Sequence, residues 1–210
     1  MKVVGFCGYS GSGKTTLVEQ LVARLRLAGQ RVSVVKHAHH SFEIDQPGKD
    51  SYRHRAAGAF EVVIASNRRL AKIREFELEA DLNVHQLIAE LSPAADWALI
   101  EGFKHADVLK IEVWRATTGQ RLQYPNDPFV VAIATDSPAA LPQPTQLPVL
   151  DLNDADAVTA WLLGQADRHV YRSPYLADNE AAYAERCDPT PDAEPGRGAR
   201  PPARGNEPAG

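Results

Sequence analysis

Long apolar runs are missing from this chain of 210 residues. No stretch approaches the ~20 residues that a bilayer-spanning helix needs, so membrane insertion is not expected. Cysteine is scarce. Cys7 and Cys187 stand far apart, and two such residues build neither a disulfide framework nor a paired-cysteine metal clip within one chain. That usage suits a reducing compartment, and the cytoplasm is the expected location. An excess of positive charge is also lacking. Lys and Arg number 23 against 27 Asp and Glu, a net charge of −4, which excludes a global basic field for nucleic acid. The opening MKVVGFCGYSGSGKT has no signal-peptide core, because glycines and polar residues interrupt it after Cys7. No internal repeat is visible. With 44% hydrophobic residues, the chain can bury a real core, as one domain or one domain plus a tail.

Composition changes toward the end. Residues 189–210 hold six of the 15 prolines and four of the 14 glycines, with almost no large apolar side chain to bury. The expected organisation is a nucleotide-binding domain over 1–170 and a mostly disordered tail over 171–210. Within the tail, 175–186 reads either as a short helix or as more tail. Before it, β-branched runs alternate with helical patterns. Strands are expected at 3–7, 31–36, 60–66, 70–76, 97–100, 110–114, 129–135 and 147–152. Helices are expected at 15–28, 51–57, 84–91 and 154–166. Leu17, Val18, Leu21, Val22 and Leu25 mark the buried face of the first helix, with Gly29 at its stop. Ala155, Val158 and Leu162 mark that of the last. Strands alternating with helices give an α/β fold, a mostly parallel sheet flanked by helices.

The sharpest motif is Gly8-Tyr9-Ser10-Gly11-Ser12-Gly13-Lys14-Thr15, which fits G-x-x-x-x-G-K-[ST] between a strand and an amphipathic helix. Glycines let several backbone N–H groups converge on one anion, and the helix N-terminus adds positive partial charge. Lys14 would reach the β- and γ-phosphates, Thr15 would ligate Mg²⁺, and Thr16 would donate to the α-phosphate. This is the signature of a P-loop NTPase fold. Such a site needs a carboxylate near the metal, and Glu101 emerges at the end of the apolar strand Ala98-Leu99-Ile100. The bland alternative is a solvated Glu at a strand exit.

Residues 36–55, KHAHHSFEIDQPGKDSYRHR, are too polar for core and leave a strand at the expected ligand-bearing edge. Asp45 or Asp50 could lie near the metal, with Lys49 or Arg53 toward an anion. His37, His39 and His40 could instead form a transition-metal site. The segment also reads as an ordinary polar loop, with Asp50 or Ser51 capping the helix after it. Asp136, after strand 129–135, could accept from the N1–H and N2–H₂ edge of guanine and so favour GTP, or could simply start the turn before Pro138.

With these segments in order, the chain resembles the molybdopterin-guanine dinucleotide biosynthesis protein B (MobB) family. The resemblance rests on GYSGSGKTTL, VKHAHHSFEIDQPGKDSYRHRAAGA and ALIEGFKHADVLKIEV, extended by AIATD and LPVLDLND, and covers about residues 1–169. It implies a P-loop GTP-binding adapter, dimeric, with weak GTP hydrolysis. Such an adapter assists a separate molybdopterin guanylyltransferase in attaching GMP to molybdopterin. Family matches fall on Gly11, Gly13, Lys14, Thr15 and Thr16, on Asp45, Pro47, Gly48, Lys49, Asp50 and Arg53, and on Glu101, Gly102, Phe103 and Lys104. The expected cofactors are GTP and Mg²⁺. The expected nucleotide-binding set is Gly11, Ser12, Gly13, Lys14, Thr15, Thr16, Asp45, Lys49, Asp50, Arg53, Glu101 and Asp136, with Thr15, Asp45 and Glu101 toward the metal. Two other functions compete. A small-molecule kinase would use Arg53, Arg55, Arg68, Arg69 and Arg74 as a charge clamp. A metal-delivering GTPase would use the His-rich run. No firm water-positioning Gln or arginine finger is evident, although Arg53 or Arg55 could act in trans across a dimer.

Overall fold

The structure, a computed structural model, describes residues 1–38, 42–78 and 80–175. His39, His40, Cys187 and the tail from 176 onward, and with it all of the possible helix at 175–186 beyond Tyr175, lie outside the described residues. Residues 1–172 form one compact unit. Its elements are β1 Lys2–Cys7, α1 Lys14–Leu27, β2 Val32–Lys36, α2 Asp50–Ala56, β3 Glu61–Ala65, β4 Leu70–Arg74, α3 Val84–Ala89, β5 Trp97–Glu101, β6 Lys110–Trp114, β7 Val130–Thr135, β8 Val149–Asp151 and α4 Ala155–Gly164. Among the described residues, no helix is long and apolar enough to cross a membrane.

Six strands form one sheet in the order β2-β5-β1-β6-β7-β8, and every pairing in it is parallel. Such a sheet is covered on both faces, and period-2 alternation divides its side chains between two layers. Val4, Phe6, Trp97, Leu99, Ile111 and Val113 point to the layer under α1 and α4, where they meet Leu17, Leu21, Leu25, Val158 and Leu162. Val3, Val35, Ala98 and Ile100 point the other way, toward Val84 and Ile88 of α3. Leu21 has no exposed surface. Its truncation to Ala is expected to cost about 2–5 kcal/mol, the usual price of a core cavity.

The helix ends follow local chemistry. Gly29 has φ 79° beyond α1, and Gln30 N–H reaches back to the Leu25 carbonyl at 3.0 Å, closing the last turn. Asn83 and Gln86 form a reciprocal capping box on α3. Asp154 caps α4 by accepting from Ala157 N–H at 2.9 Å. Arg24 and Asp156 form a two-pronged ion pair, at 2.7 and 3.1 Å, between α1 and α4.

Two features go beyond what the sequence pattern indicates. Segments 60–66 and 70–76 are strands in part, as β3 and β4, but they do not join the parallel sheet. They pair antiparallel with each other as a separate two-stranded ribbon, Val62 opposite Ile73 and Ile64 opposite Ala71. The four-residue connection permits a hairpin, whereas a parallel pairing needs a crossover of a dozen residues. In addition, β6 is buried at every position, including the charged Lys110 and Glu112.

Candidate functional site

β1 delivers the chain to the C-terminal edge of the sheet, and Gly8 turns it. Gly8 has φ 134°, and a Cβ there would fall 2.3 Å from the Val113 carbonyl oxygen, so this position requires glycine. Gly13, at φ 97°, sits at the N-cap of α1. Lys14 opens the helix and folds back over the loop, its Nζ donating to the Tyr9 carbonyl at 2.8 Å. Burial pulls the Lys14 pKa down, and the nearby Glu101 carboxylate opposes that shift. Ser12 is buried, and its Oγ has no hydrogen-bond partner among the described residues.

Thr15 Oγ1 donates to Glu101 Oε1 at 2.6 Å, joining the start of α1 to the end of β5. The same oxygen accepts from Lys36 Nζ at 3.3 Å. Lys36 and Glu101 are register partners in the β2–β5 pairing, so the two strands end together at this point. Glu101 is 8% exposed as a residue. A hydroxyl and a nearly buried carboxylate beside a phosphate loop are the donor set that Mg²⁺ takes, because that ion binds through one or two protein oxygens plus phosphate and water. Among the described residues, no group of three His, Cys, Asp or Glu side chains could hold a metal by itself.

A cleft of about 1430 Å³ opens beside the loop. Its walls are the loop with the first turn of α1, the β2 exit at 36–38, Phe42, residues 81–85 at the start of α3, and residues 101–107 after β5. The last of these walls is built stiffly. Gly102 has φ 99°, and its absent Cβ leaves room for His37 Cβ, which would lie 3.0 Å away. Phe103 holds φ 49°, a left-handed conformation that costs energy for a non-glycine residue. Its ring lies 4.6 Å from that of His37. Lys110 then clamps the segment from below. Only 1% exposed, its Nζ donates to the carbonyls of Lys104 and Ala106 at 3.0 and 2.6 Å and pairs with Asp127 at 2.7 Å. The clamp fixes Lys104, whose ammonium sits 5.7 Å from the centre of the Tyr9 ring.

The expected site residues therefore separate. Gly11, Gly13, Lys14, Thr15, Thr16 and Glu101 line the cleft, and Ser12 is buried within the loop. Asp45, Lys49, Asp50, Arg53 and Asp136 do not line it. Asp45 accepts from Ser51 Oγ at 2.9 Å and lies 3.7 Å from Arg55. Arg55 also pairs with Glu43 and Glu75, each at 3.0 Å. The Arg55 hydrogen bond lowers the pKa of Glu43 to about 2. Asp50 pairs with Arg53 at 3.6 Å on α2, and both side chains are exposed. Arg74, another candidate for a charge clamp, is bound to Glu61 and Glu90. Asp136 is ion-paired with Arg115 and accepts from Ser137 Oγ at 2.9 Å. Of the His-rich run, His37 lines the cleft, while His39 and His40 lie outside the described residues.

Sequence reasoning missed Lys110 and Arg115 as supports of the site. A lysine inside an otherwise apolar strand is the available sign for the first. The second carries none, because its partners Ser12 and Asp136 are distant in the chain.

A parallel sheet with this loop after its central strand defines a P-loop NTPase fold. A sequence profile of the family described as molybdopterin guanine dinucleotide synthesis protein B (MobB) matches residues 3–136. The chain belongs to the MobB family. It is 37% identical over 169 residues to the molybdopterin-guanine dinucleotide biosynthesis adapter protein of Escherichia coli K12, covering 78% of this chain and 94% of that protein. It is also 37% identical over 166 residues to the Haemophilus influenzae adapter protein of the same name, covering 76% of this chain and 89% of that one. The crystal structure of Bacillus subtilis MobB superimposes with a TM-score of 0.61 at 25% identity, over 79% of this chain and 98% of the other. A MobB homologue from Bacillus stearothermophilus gives 0.59 at 25% identity, over 80% and 99% of the two chains.

Proposed function

We propose that this chain is a GTP-binding adapter in molybdopterin-guanine dinucleotide biosynthesis, holding Mg²⁺ and GTP for a separate molybdopterin guanylyltransferase. Residues 1–170 form its nucleotide-binding domain, and it works as a cytoplasmic homodimer. The observation that carries the nucleotide reading is the Thr15–Glu101 hydrogen bond at 2.6 Å beside Lys14. In this reading the N–H groups of the loop, from Gly11 to Thr16 with Ser12 among them, and Lys14 hold the phosphates. Thr15 and Glu101 hold the metal or its water shell. Bound there, Mg²⁺ supplies neutralisation of phosphate charge. Asp45, Lys49, Asp50 and Arg53 build and flank the neighbouring α2 segment rather than this group, and Asp136 acts on the loop through Arg115.

Hydrolysis is slow in this reading. Among the described residues, neither Gln nor Arg lines the cleft, and without a water-positioning group or arginine finger, phosphoryl transfer loses ~10³–10⁵-fold in rate. An adapter profits from a triphosphate that persists. The test is calorimetry of GTP and ATP with Mg²⁺, joined to co-purification with the guanylyltransferase. GTP preference together with complex formation is expected. ATP preference, or rapid turnover to GDP without a partner, would replace the adapter with a kinase or hydrolase.

A further inference from the structure

Lys36 is a basic residue of the cleft that the phosphate loop does not account for. It ends β2, the edge strand, and is paired across β5 with Glu101. Two strand spacings, about 10 Å, separate β2 from β1. A lysine stem from β2 therefore reaches over the end of β5, and its ammonium shares Glu101 Oε1 with Thr15. It enters the site from the side opposite the phosphate loop, where the far end of a triphosphate chain laid on the loop would lie.

Its present partner is weakly held. Lys36 Nζ lies 3.3 Å from Glu101 Oε1, and the lysine side chain is 59% exposed. The carboxylate is nearly buried but the ammonium stands in water, so at this distance the lysine can leave its partner at little cost. The contested atom is Glu101 Oε1, which also accepts the much shorter bond from Thr15. When that oxygen turns to a divalent cation or its water, the Lys36 ammonium loses its carboxylate. The nearest replacement anion is then the terminal phosphate.

We propose that Lys36 is the terminal-phosphate sensor of this site, a specificity residue that makes the protein favour a nucleoside triphosphate over the diphosphate. The inference rests on the GTP-binding reading above and extends it. Lysine suits the task as a compact charge on a flexible stem.

The experiment is calorimetry of GTP and GDP at fixed Mg²⁺ on the full chain, for wild type, Lys36→Met and Lys36→Arg. Wild type is expected to bind GTP more tightly than GDP. Lys36→Met is expected to lose ~10–100-fold in GTP affinity, the size of a hydrogen bond to a charged group, with GDP changed by less than about 2-fold. Lys36→Arg is expected to keep most of the preference. Equal losses for both nucleotides, or no loss, would overturn the role of Lys36 while leaving GTP binding intact. Failure of wild type to bind either nucleotide would overturn both the sensor and the GTP-binding reading. Thermal midpoints of the three proteins within a few degrees exclude misfolding as the cause, as expected for an exposed side chain.

Discussion

Arg115 and Asp136 are ion-paired just beyond the ends of the adjacent strands β6 and β7, and the pair bears on the phosphate loop. Arg115 Nε donates to the Ser12 carbonyl at 3.2 Å, and its guanidinium lies 3.4 Å from where a Gly13 Cβ would be. Asp136 thus positions the arginine, and the arginine supports the loop.

This arrangement predicts how Asp136→Asn behaves. GTP and ATP affinities are expected to fall together, by about 3–10-fold, since the lost interaction is a partly exposed charge pair acting through the loop. Arg115→Ala is expected to do the same. A loss confined to GTP, read by calorimetry, would instead put guanine recognition at Asp136.

Metal dependence should concentrate at the Thr15–Glu101 pair. Glu101→Gln and Thr15→Ala are expected to weaken nucleotide binding ~10-fold or more in Mg²⁺ and much less in EDTA. Titrations with and without the cation separate the two. Equal losses in both conditions would mean that the pair only braces α1.

Lys110 should matter for stability before function. Lys110→Met removes one half of a buried ion pair and leaves Asp127 and two loop carbonyls without their donor. A loss of about 3–5 kcal/mol is expected in urea unfolding, because the abandoned carboxylate stays partly buried. A change below about 1 kcal/mol would show that water replaces the ammonium without strain.

The two ends of the compact unit meet at His169, and this contact should depend on pH. His169 is buried, its Nδ1 lies 3.1 Å from the Val3 carbonyl, and burial lowers its pKa. The folded state then takes up a proton less readily than the unfolded state. The contribution of His169 is complete above the unfolded value near 6.5 and falls as pH drops below it, by at most about 1.4 kcal/mol per pH unit. His169→Gln is expected to flatten the thermal midpoint between pH 7 and pH 5. An unchanged slope would place the dependence on other groups.

Cys7 should be inert. Burial drives its pKa up to about 12, with Glu112 adding to the shift. Alkylation of the native protein at pH 8, followed by peptide mapping, is expected to leave Cys7 unmodified. Rapid labelling would reveal opening of β1.

Much of the parallel sheet was legible because its strands are short, apolar and punctuated. The phosphate loop was legible because its chemistry is local, eight residues that need no distant partner. The ribbon of β3 and β4 was harder, since Phe60 to Ser66 has the same β-rich text whether it joins the main sheet or pairs with its neighbour. Lys110 and Glu112 alternate with apolar residues as though one face of β6 met water. Their burial depends on Asp127, on the loop carbonyls after β5, and on the N–H groups of Gln123 and Tyr124, which Glu112 accepts at 2.7 and 2.9 Å. The contact between Asp45 and Arg55 was not legible in the same way, because it is a tertiary fact.

The order of strands gives the two sides of the cleft different lifetimes. β1 lies inside the sheet between β5 and β6, so exposing its amides requires breaking ladders on both sides. β2 is bonded on one side only, to β5. Amide exchange should therefore be slowest along the strand that carries the phosphate grip and faster along the one that carries Lys36. On that order the grip is expected to stay formed while the edge beside it opens.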